Sequence, residues 1–121
     1  MNWSKELINE INKSTTVQNQ PYNKTKEPFQ DNPLWVVTID NHVYLRAGKG
    51  KESKWYQEGL KYGGQIQVNG ETVKITYRPV TDKKEEDAVT KAYLEKYHGQ
   101  YPIDMMVSNK CAEATVELIR Q

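Results

Sequence analysis

The stretch that decides the fold is LWVVTIDNHVYLRAG, residues 34–48. It holds two runs rich in β-formers, and the Asp40-Asn41 pair between them tolerates the positive φ of a tight turn. A two-residue turn would pair Ile39 with His42, Val37 with Tyr44, and Trp35 with Arg46. The opposite face carries Leu34, Val36, Val43, Leu45 and Ala47. Because one face is apolar and the other mixes aromatic rings with a guanidinium, we expect a sheet that is covered on both sides.

Residues 65–80, QIQVNGETVKITYRPV, predict a second hairpin. Its Asn69-Gly70 turn is the strongest short-range hairpin signal. In the register that this turn sets, the apolar face holds Ile66, Val68, Val73, Ile75 and Tyr77. The wetter face holds Gln67, Thr72, Lys74, Thr76 and Arg78. This alternation is typical of a strand pair with one buried face, and Pro79 ends the hydrogen bonding at that edge.

Three segments predict helices that would pack on this sheet. Residues 3–12 place apolar side chains on one stripe, and so short a helix must dock on the body of the protein to be stable. A second helix begins after Ser53 and ends at Gly63-Gly64. The third covers about residues 82–97 and opens on a capping box.

The two ends of the chain give weaker signals. Residues 12–33 are polar and contain three prolines, so they predict an extended connection on the surface. We therefore expect an N-terminal helix and polar linker over residues 1–33 and a separate β-rich domain over 34–121. Near the C-terminus, the apolar spacing fits one face of a helix, whereas TVELI, residues 115–119, fits a closing strand with Val116 and Leu118 inward.

The composition fits one small domain and argues against several function classes. The chain has 121 residues, with 17 Lys and Arg against 16 Asp and Glu, which argues against a dedicated nucleic-acid arm. No apolar run approaches the roughly 20 residues that cross a bilayer, and no secretory leader is visible, so a cytoplasmic protein is expected. One Cys excludes an intramolecular disulfide and, with two His, gives no zinc cluster, so no metal is expected.

A basic loop is the candidate binding site. Its cations and its helix-capping residue are Arg46, Lys49, Lys51, Ser53 and Lys54. Free backbone N–H groups, the positive end of a helix dipole and fixed cations together favour a phosphate. The next two residues, Trp55 and Tyr56, would offer a flat wall to an aromatic ring. The loop therefore has what a flavin-type mononucleotide needs, and the alternative is a solvated loop beside core aromatics.

Two further candidates, Thr76 and Arg78, lie on the wetter face of the second hairpin. In a closed barrel that face would line a ligand cleft or meet a partner subunit, and the alternative is an ordinary polar surface. On the third helix, Tyr93, Lys96 and Tyr97 are neighbours, and we expect core tyrosines with a snorkelling lysine rather than a proton-transfer site.

The two histidines, His42 and His98, lack partners at the spacing that a metal site needs, and both are expected at the surface. No nucleophile elbow, Walker loop or dinucleotide fingerprint occurs.

Four short motifs follow one another along the chain: Leu34-Trp35, Tyr44-x-Arg46, Trp55-Tyr56 and Ala92-Tyr93-x-x-Lys96-Tyr97. In this order they resemble a bacterial family of uncharacterised proteins known as domain of unknown function 2255. The resemblance covers roughly residues 34–119 and leaves the N-terminal helix and the linker outside.

The resemblance implies a fold rather than an activity. That fold is mainly β with helices (α+β): a small antiparallel split β-barrel of the FMN-binding type with two or three packed helices, here over residues 34–121. Such barrels include the pyridoxamine-phosphate oxidase and deazaflavin-dependent nitroreductase groups, which are usually homodimers with the cofactor near the subunit interface. The resemblance therefore implies a homodimer, FMN or a deazaflavin as cofactor, and a strand as the last segment.

Three functions remain open from the sequence. In the first, a split barrel binds a phosphate-bearing flavin or deazaflavin and acts as a reductase, with the protein supplying binding and orientation. In the second, a non-catalytic split barrel without cofactor binds a protein or a small metabolite through its surface. The third, binding of single-stranded nucleic acid, gains from the lysines and tyrosines but is weakened by the near-neutral charge. The sequence does not decide whether the protein is an enzyme.

Overall fold

The computed structural model describes residues 3–121, which hold seven strands, five α-helices and one 3-10 turn. The strands are β1 (Thr16–Pro21), β2 (Pro33–Trp35), β3 (Val37–Ile39), β4 (His42–Arg46), β5 (Gly64–Val68), β6 (Glu71–Pro79) and β7 (Thr115–Arg120). The α-helices are α1 (Lys5–Lys13), α2 (Lys54–Tyr62), α3 (Lys83–Lys96), α4 (Ile103–Met106) and α5 (Asn109–Ala112), and the 3-10 turn is Gly50–Glu52. The two or three predicted helices correspond to α1, α2 and α3, and the four-residue helices α4 and α5 are additional.

The seven strands form one sheet in the order β2-β1-β5-β6-β7-β4-β3, and all neighbouring strands are antiparallel. The strands at the two ends of this order, β2 and β3, are consecutive in the chain and are separated by Val36 alone. A sheet whose two edge strands are joined by one residue must curl until those edges approach each other. The sheet is therefore a nearly closed barrel, which confirms the predicted fold.

Both predicted hairpins are present in the predicted register. In the first, Ile39 pairs with His42 across the turn. In the second, Asn69 and Gly70 form the turn with positive φ, as that turn type requires. The predicted pairing of Trp35 with Arg46 is wrong, because the chain changes strand at Val36. Trp35 instead pairs with Thr16 in β1, and Arg46 pairs with Thr115 in β7.

Around the first hairpin the sheet is covered on both sides, as the sequence predicts. Inside the barrel, apolar side chains from both hairpins pack with α1 and α2. On the outer side, Val37 and Tyr44 pack against Val89 and Tyr93 of α3 and against Tyr97, the C-cap residue of α3. The helix α3 begins as predicted, with the Asp82 carboxylate accepting a hydrogen bond from the backbone N–H of Glu85. Since two separate apolar clusters meet the same strands, both faces of β3 and β4 are covered except beside their turn, where His42 is exposed.

The N-terminal third of the chain is part of this barrel. Three apolar residues of α1 (Leu7, Ile8 and Ile11) are buried in the inner core. The predicted surface connection is wrong for residues 16–21, because β1 lies inside the sheet between β2 and β5. Its buried side chains include two amides, and Asn19 Oδ1 accepts a hydrogen bond from the Tyr77 hydroxyl at 2.6 Å. No break in the sheet or the core falls at residue 33, since β1 and β2 pair across it.

The C-terminal segment ends in a strand, as the family resemblance implies. The short helix α5 precedes it, and β7 then runs between β6 and β4. Its inward residues Val116 and Leu118 are fully buried, as the strand interpretation predicts. The helix interpretation of TVELI is wrong because these residues complete the hydrogen bonding of two neighbouring strands.

The junction at Val36 is held by the end of α3. The Tyr97 hydroxyl accepts a hydrogen bond from the Val36 N–H at 2.9 Å and donates to the Thr15 carbonyl at 2.7 Å. The Tyr97 ring also stacks on Trp35, with ring centroids 4.0 Å apart and planes 1° from parallel. The Tyr97 side chain thus satisfies the Val36 N–H, which has no partner in the sheet.

Lys96 also binds the backbone at Val36. Its Nζ donates to the carbonyls of Val36, at 2.8 Å, and Ile11, at 3.1 Å. Burial lowers the pKa of Lys96 to about 8. The lysine therefore ties α1, the β2–β3 junction and α3 together, as a structural residue of the kind expected from the sequence.

We predict that Tyr97→Phe destabilises the protein. The substitution leaves the N–H of the fully buried Val36 without its hydrogen-bond partner, which costs about 1–3 kcal/mol of unfolding free energy. Urea denaturation measures the change. The matched control is Tyr62→Phe, since the contact of its ring with Lys26 survives the substitution and its hydroxyl loss should stay within about 0.5 kcal/mol. Equal effects of the two substitutions would contradict this role of Tyr97.

We also predict a pH dependence of stability that belongs to Lys96. Its folded-state pKa is lowered from 10.5 to about 8, so between these values the unfolded chain keeps a proton that the folded protein has lost. The free energy of unfolding should therefore rise with pH across this window and be independent of this group below it. Urea midpoints at several pH values measure the slope, which Lys96→Met should remove and Lys91→Met, on an exposed position of α3, should keep. A slope that survives Lys96→Met would assign it to other groups.

Candidate functional site

An open cavity of about 490 Å³ lies beside the start of α2. Three chain segments form its wall: the end of the predicted linker, the basic loop between β4 and α2, and the helix α4. The lining residues are Phe29, Asn32, Leu34, Gly48, Lys49, Ser53, Lys54, Trp55 and Met105. The fold brings these segments together because β2 and β4 deliver the linker and the loop to one end of the barrel.

The basic loop gives the cavity its charge. Lys49 and Lys54 are exposed on the cavity wall. Ser53 is the N-cap residue of α2, as predicted, but its buried side chain makes no hydrogen bond to the start of the helix. The first N–H groups of a helix have no partner within it, so they are left to an outside acceptor. Two cations and this helix start make the loop side of the cavity favourable for an anion.

The rest of the wall is largely apolar. Trp55 is buried to 7% exposure and its ring meets Tyr56 edge-on, with centroids 6.2 Å apart. A second aromatic neighbour, Tyr77, has its ring centroid 6.0 Å from that of Trp55. These contacts fix the indole that faces the cavity. Tyr56 itself is not among the lining residues, and burial raises the pKa of its hydroxyl. A flat apolar group would therefore meet Trp55 and not Tyr56.

Arg46, the predicted phosphate ligand, points into the protein. It is fully buried, and its Nε donates to Thr115 Oγ1 at 2.9 Å. Its two terminal nitrogens donate to the carbonyl of Met106, the carbonyl of Glu86 and Thr90 Oγ1. Burial lowers the pKa of this guanidinium. Arg46 therefore links the barrel to α3 and α4 and is not on the cavity wall.

The remaining predicted residues are divided by the fold. Thr76 and Arg78 project from the outer face of β6, where Thr76 Oγ1 accepts from Gln121 Nε2 and Arg78 pairs with Glu117. Lys51 is exposed in the 3-10 turn but does not line the cavity. The structure thus brings together four of the nine predicted residues, namely Lys49, Ser53, Lys54 and Trp55.

Sequence reasoning missed the wall opposite the loop. Phe29, Asn32 and Leu34 come from the segment that the sequence predicts as a surface linker and from β2. The available signal was Phe29, a lone Phe in a polar stretch. Met105 closes the cavity from α4, and its Cε lies 3.2 Å from where a Cβ on Gly48 would sit. Gly48 therefore lets the methionine approach the loop closely.

A second open cavity, of about 520 Å³, adjoins the first. The two share Phe29 and Lys54, and the other lining residues of the second cavity, apart from Pro28, have polar side chains. It is formed by the segment 23–30 and by Glu58 of α2. Two ligands, or two parts of one ligand, could thus lie side by side across Phe29.

The cavity beside α2 is suited to binding more than to acid–base chemistry. Its lining residues include two ammonium groups and no carboxylate or imidazole. Within residues 3–121, no three His, Cys, Asp or Glu side chains are grouped so that they could hold a metal ion. No helix in the same range has the length and hydropathy to span a membrane. An anionic group with an attached flat ring fits the residues that are present.

Solved structures with a similar fold include proteins described in terms of flavins and drug resistance. A conserved hypothetical protein of Mycobacterium tuberculosis has a TM-score of 0.69 at 16% identity, over 98% of this chain and 79% of that one. A candidate 5-nitroimidazole antibiotic resistance protein of Bacteroides thetaiotaomicron also has a TM-score of 0.69, at 11% identity over 98% and 80% of the two chains. An FAD-binding protein of Mesorhizobium loti has a TM-score of 0.54 at 17% identity, over 99% and 90%. At these identities the likeness shows the fold alone.

No curated protein sequence matches the chain. A family model does match, over residues 7–118, so the expectation that the N-terminal helix and linker lie outside the family is wrong. The match agrees with the structure, in which α1 and β1 belong to the same core and sheet as the rest. The chain belongs to the family of uncharacterised proteins conserved in bacteria that is named DUF2255.

Proposed function

We propose that the cavity beside α2 binds a flavin- or deazaflavin-type cofactor that carries a phosphate, and that the protein acts as a reductase. The observation that carries this proposal is the meeting of Lys49, Lys54 and the uncapped start of α2 with an apolar wall in one cavity. Its volume lies within the range of about 300–1,000 Å³ typical of ligand pockets. When bound, the cofactor ring would supply the hydride chemistry.

The chain's own residues would bind and orient this cofactor. Lys49, Lys54 and the first N–H groups of α2 would hold the phosphate. Trp55 and Leu34 would cover a ring face and exclude water from it. The adjoining cavity across Phe29 would give an oxidised substrate a place beside the ring.

Removal of the two lysines should weaken binding of the phosphate-bearing cofactor. Each charge-assisted contact is worth about 1.5–3 kcal/mol, and the solvent exposure of both lysines lowers this value. We therefore expect Lys49→Gln/Lys54→Gln to raise the Kd for FMN about tenfold or more. Fluorescence quenching and thermal shift measure the affinity for FMN, riboflavin and reduced deazaflavin. The control, Lys74→Gln/Lys91→Gln, removes the same charge from exposed positions outside the cavity. Wild-type protein that binds none of the three probes would contradict the proposal.

A homodimer is also part of the proposal. Tyr101 is 96% exposed and Met105 is 44% exposed, and both line a shallow cavity formed by residues 99–105. Met105 also lines the proposed cofactor cavity. An apolar surface that continues into a ligand cavity is a good place for a second copy to dock, because the partner would then shield the ligand as well.

We predict that Tyr101→Ser/Met105→Ser shifts the dimer towards monomer. Loss of two apolar side chains at the interface removes about 2 kcal/mol or more of association free energy, so the dimer Kd should rise about thirtyfold. Sedimentation equilibrium measures it. The control is Leu94→Ser, an exposed leucine of α3 outside this segment. A monomeric wild-type protein, or an equal effect of Leu94→Ser, would contradict this interface.

The alternative is a non-catalytic barrel that binds a protein or metabolite without cofactor. It gains support from Arg46, since the cation expected at the phosphate is taken up by internal acceptors. The flavin titration above distinguishes the two, because this alternative has no reason to prefer FMN over riboflavin.

A further inference from the structure

A polar cluster lies on the outer face of the sheet, at the end of β4 opposite to the basic loop. Its centre is Glu117 of β7, which is 7% exposed. One carboxylate oxygen of Glu117 lies 2.6 Å from His42 Nδ1, and the other accepts from Arg78 Nε at 2.9 Å. Arg78 also pairs with Glu85, whose carboxylate accepts from the Tyr44 hydroxyl at 2.7 Å. Both oxygens of Glu117 are thus engaged, and the carboxylate is fixed.

This arrangement determines how the imidazole of His42 is used. An ionised carboxylate only accepts hydrogen bonds, so the proton between the two groups lies on Nδ1. In the neutral ring, Nε2 then carries the lone pair. The His42 side chain is 57% exposed, so this lone pair is accessible to a ligand. A histidine oriented by a buried carboxylate is the arrangement that general bases use in enzymes.

A cavity of about 510 Å³ opens at this pair. Its wall combines apolar surface with an amide and a guanidinium. The lining residues are Trp3, Asn41, His42, Glu117, Leu118, Ile119 and Arg120. The Trp3 indole is held in place by its Nε1, which donates to the Leu118 carbonyl at 3.1 Å. Such a wall suits a small, partly apolar ligand.

We propose that His42 and Glu117 form an acid–base site for a small ligand with an ionisable hydroxyl, of the phenol or enol class. The ligand O–H bond breaks, its proton forms the Nε2–H bond of His42, and the electron pair stays on the ligand oxygen as an oxyanion. Glu117 balances the charge of the imidazolium. This site is separate from the proposed cofactor cavity, whose lining residues hold no carboxylate or imidazole, and it does not depend on that function.

The probe for this proposal is 4-nitrophenol, because its phenolate absorbs visible light and the phenol does not. Wild-type protein should bind it and raise the phenolate fraction at a pH where most of the free probe is protonated. His42→Gln should reduce this effect about tenfold, which corresponds to one pKa unit of the bound probe. The matched control is His98→Gln, since His98 is exposed beyond the end of α3 and should leave the effect unchanged.

Three results would overturn the proposal. They are a wild-type protein that binds no 4-nitrophenol, a bound probe that stays protonated, and a His42→Gln protein that behaves as the wild type does. Glu117→Gln should lower the phenolate fraction as well, provided that its circular dichroism shows a folded protein.

A second measurement separates an acid–base site from a purely structural ion-pair network, and it needs no substitution. Long-range ¹H–¹⁵N spectra of the wild-type protein should show His42 as the Nδ1–H tautomer. The Nε2–H tautomer would contradict the proposal, because the ring would then have no free lone pair facing the ligand.

Discussion

The barrel depends on how the backbone is satisfied at Val36. The first and last strands of the sheet follow each other in the chain there, and a residue between two strands cannot use both of its backbone groups in the sheet. Tyr97 takes the N–H, and Lys96 takes the carbonyl. Because α3 supplies both groups, the outer helix and the closure of the barrel form one unit. The stacked rings of Trp35 and Tyr97, whose planes are 1° from parallel, hold the end of α3 against β2.

The parts of the fold that could be predicted are those in which apolar residues alternate. Both hairpins were predictable. The alternation of apolar and polar residues indicates which side chains face the core, and the turns carry Asp40-Asn41 or Asn69-Gly70. The strand β1 was not, because its buried positions include the amide side chains of Asn19 and Gln20. A buried amide whose Oδ1 accepts a hydrogen bond from a distant Tyr77 looks in a sequence like a residue of a surface loop. The break at Val36 is likewise invisible, since it interrupts an apolar run.

In the candidate sites, groups of residues that are close in sequence were predictable, and contacts between residues far apart in the chain were not. Lys49, Ser53, Lys54 and Trp55 were predictable as a group because they lie in one loop and one helix start. The orientation of Arg46 was not predictable, since the groups that accept its hydrogen bonds lie 40 and 69 residues away in the chain. The pair of His42 and Glu117 spans 75 residues, so periodicity and spacing give no indication of it. Only the register of β4 against β7 brings the two together.

The position of β7 also bears on how the protein is made. This strand is the last of the sheet in the chain, yet it lies between β6 and β4 and joins the two hairpins. A ribosome that has released residues up to 114 has produced both hairpins and all five helices, but β4 and β6 still lack the strand that pairs with both of them. Until residues 115–120 emerge, these two strands present open edges that can pair with another chain. The sheet can therefore become continuous only after β7 has been synthesised.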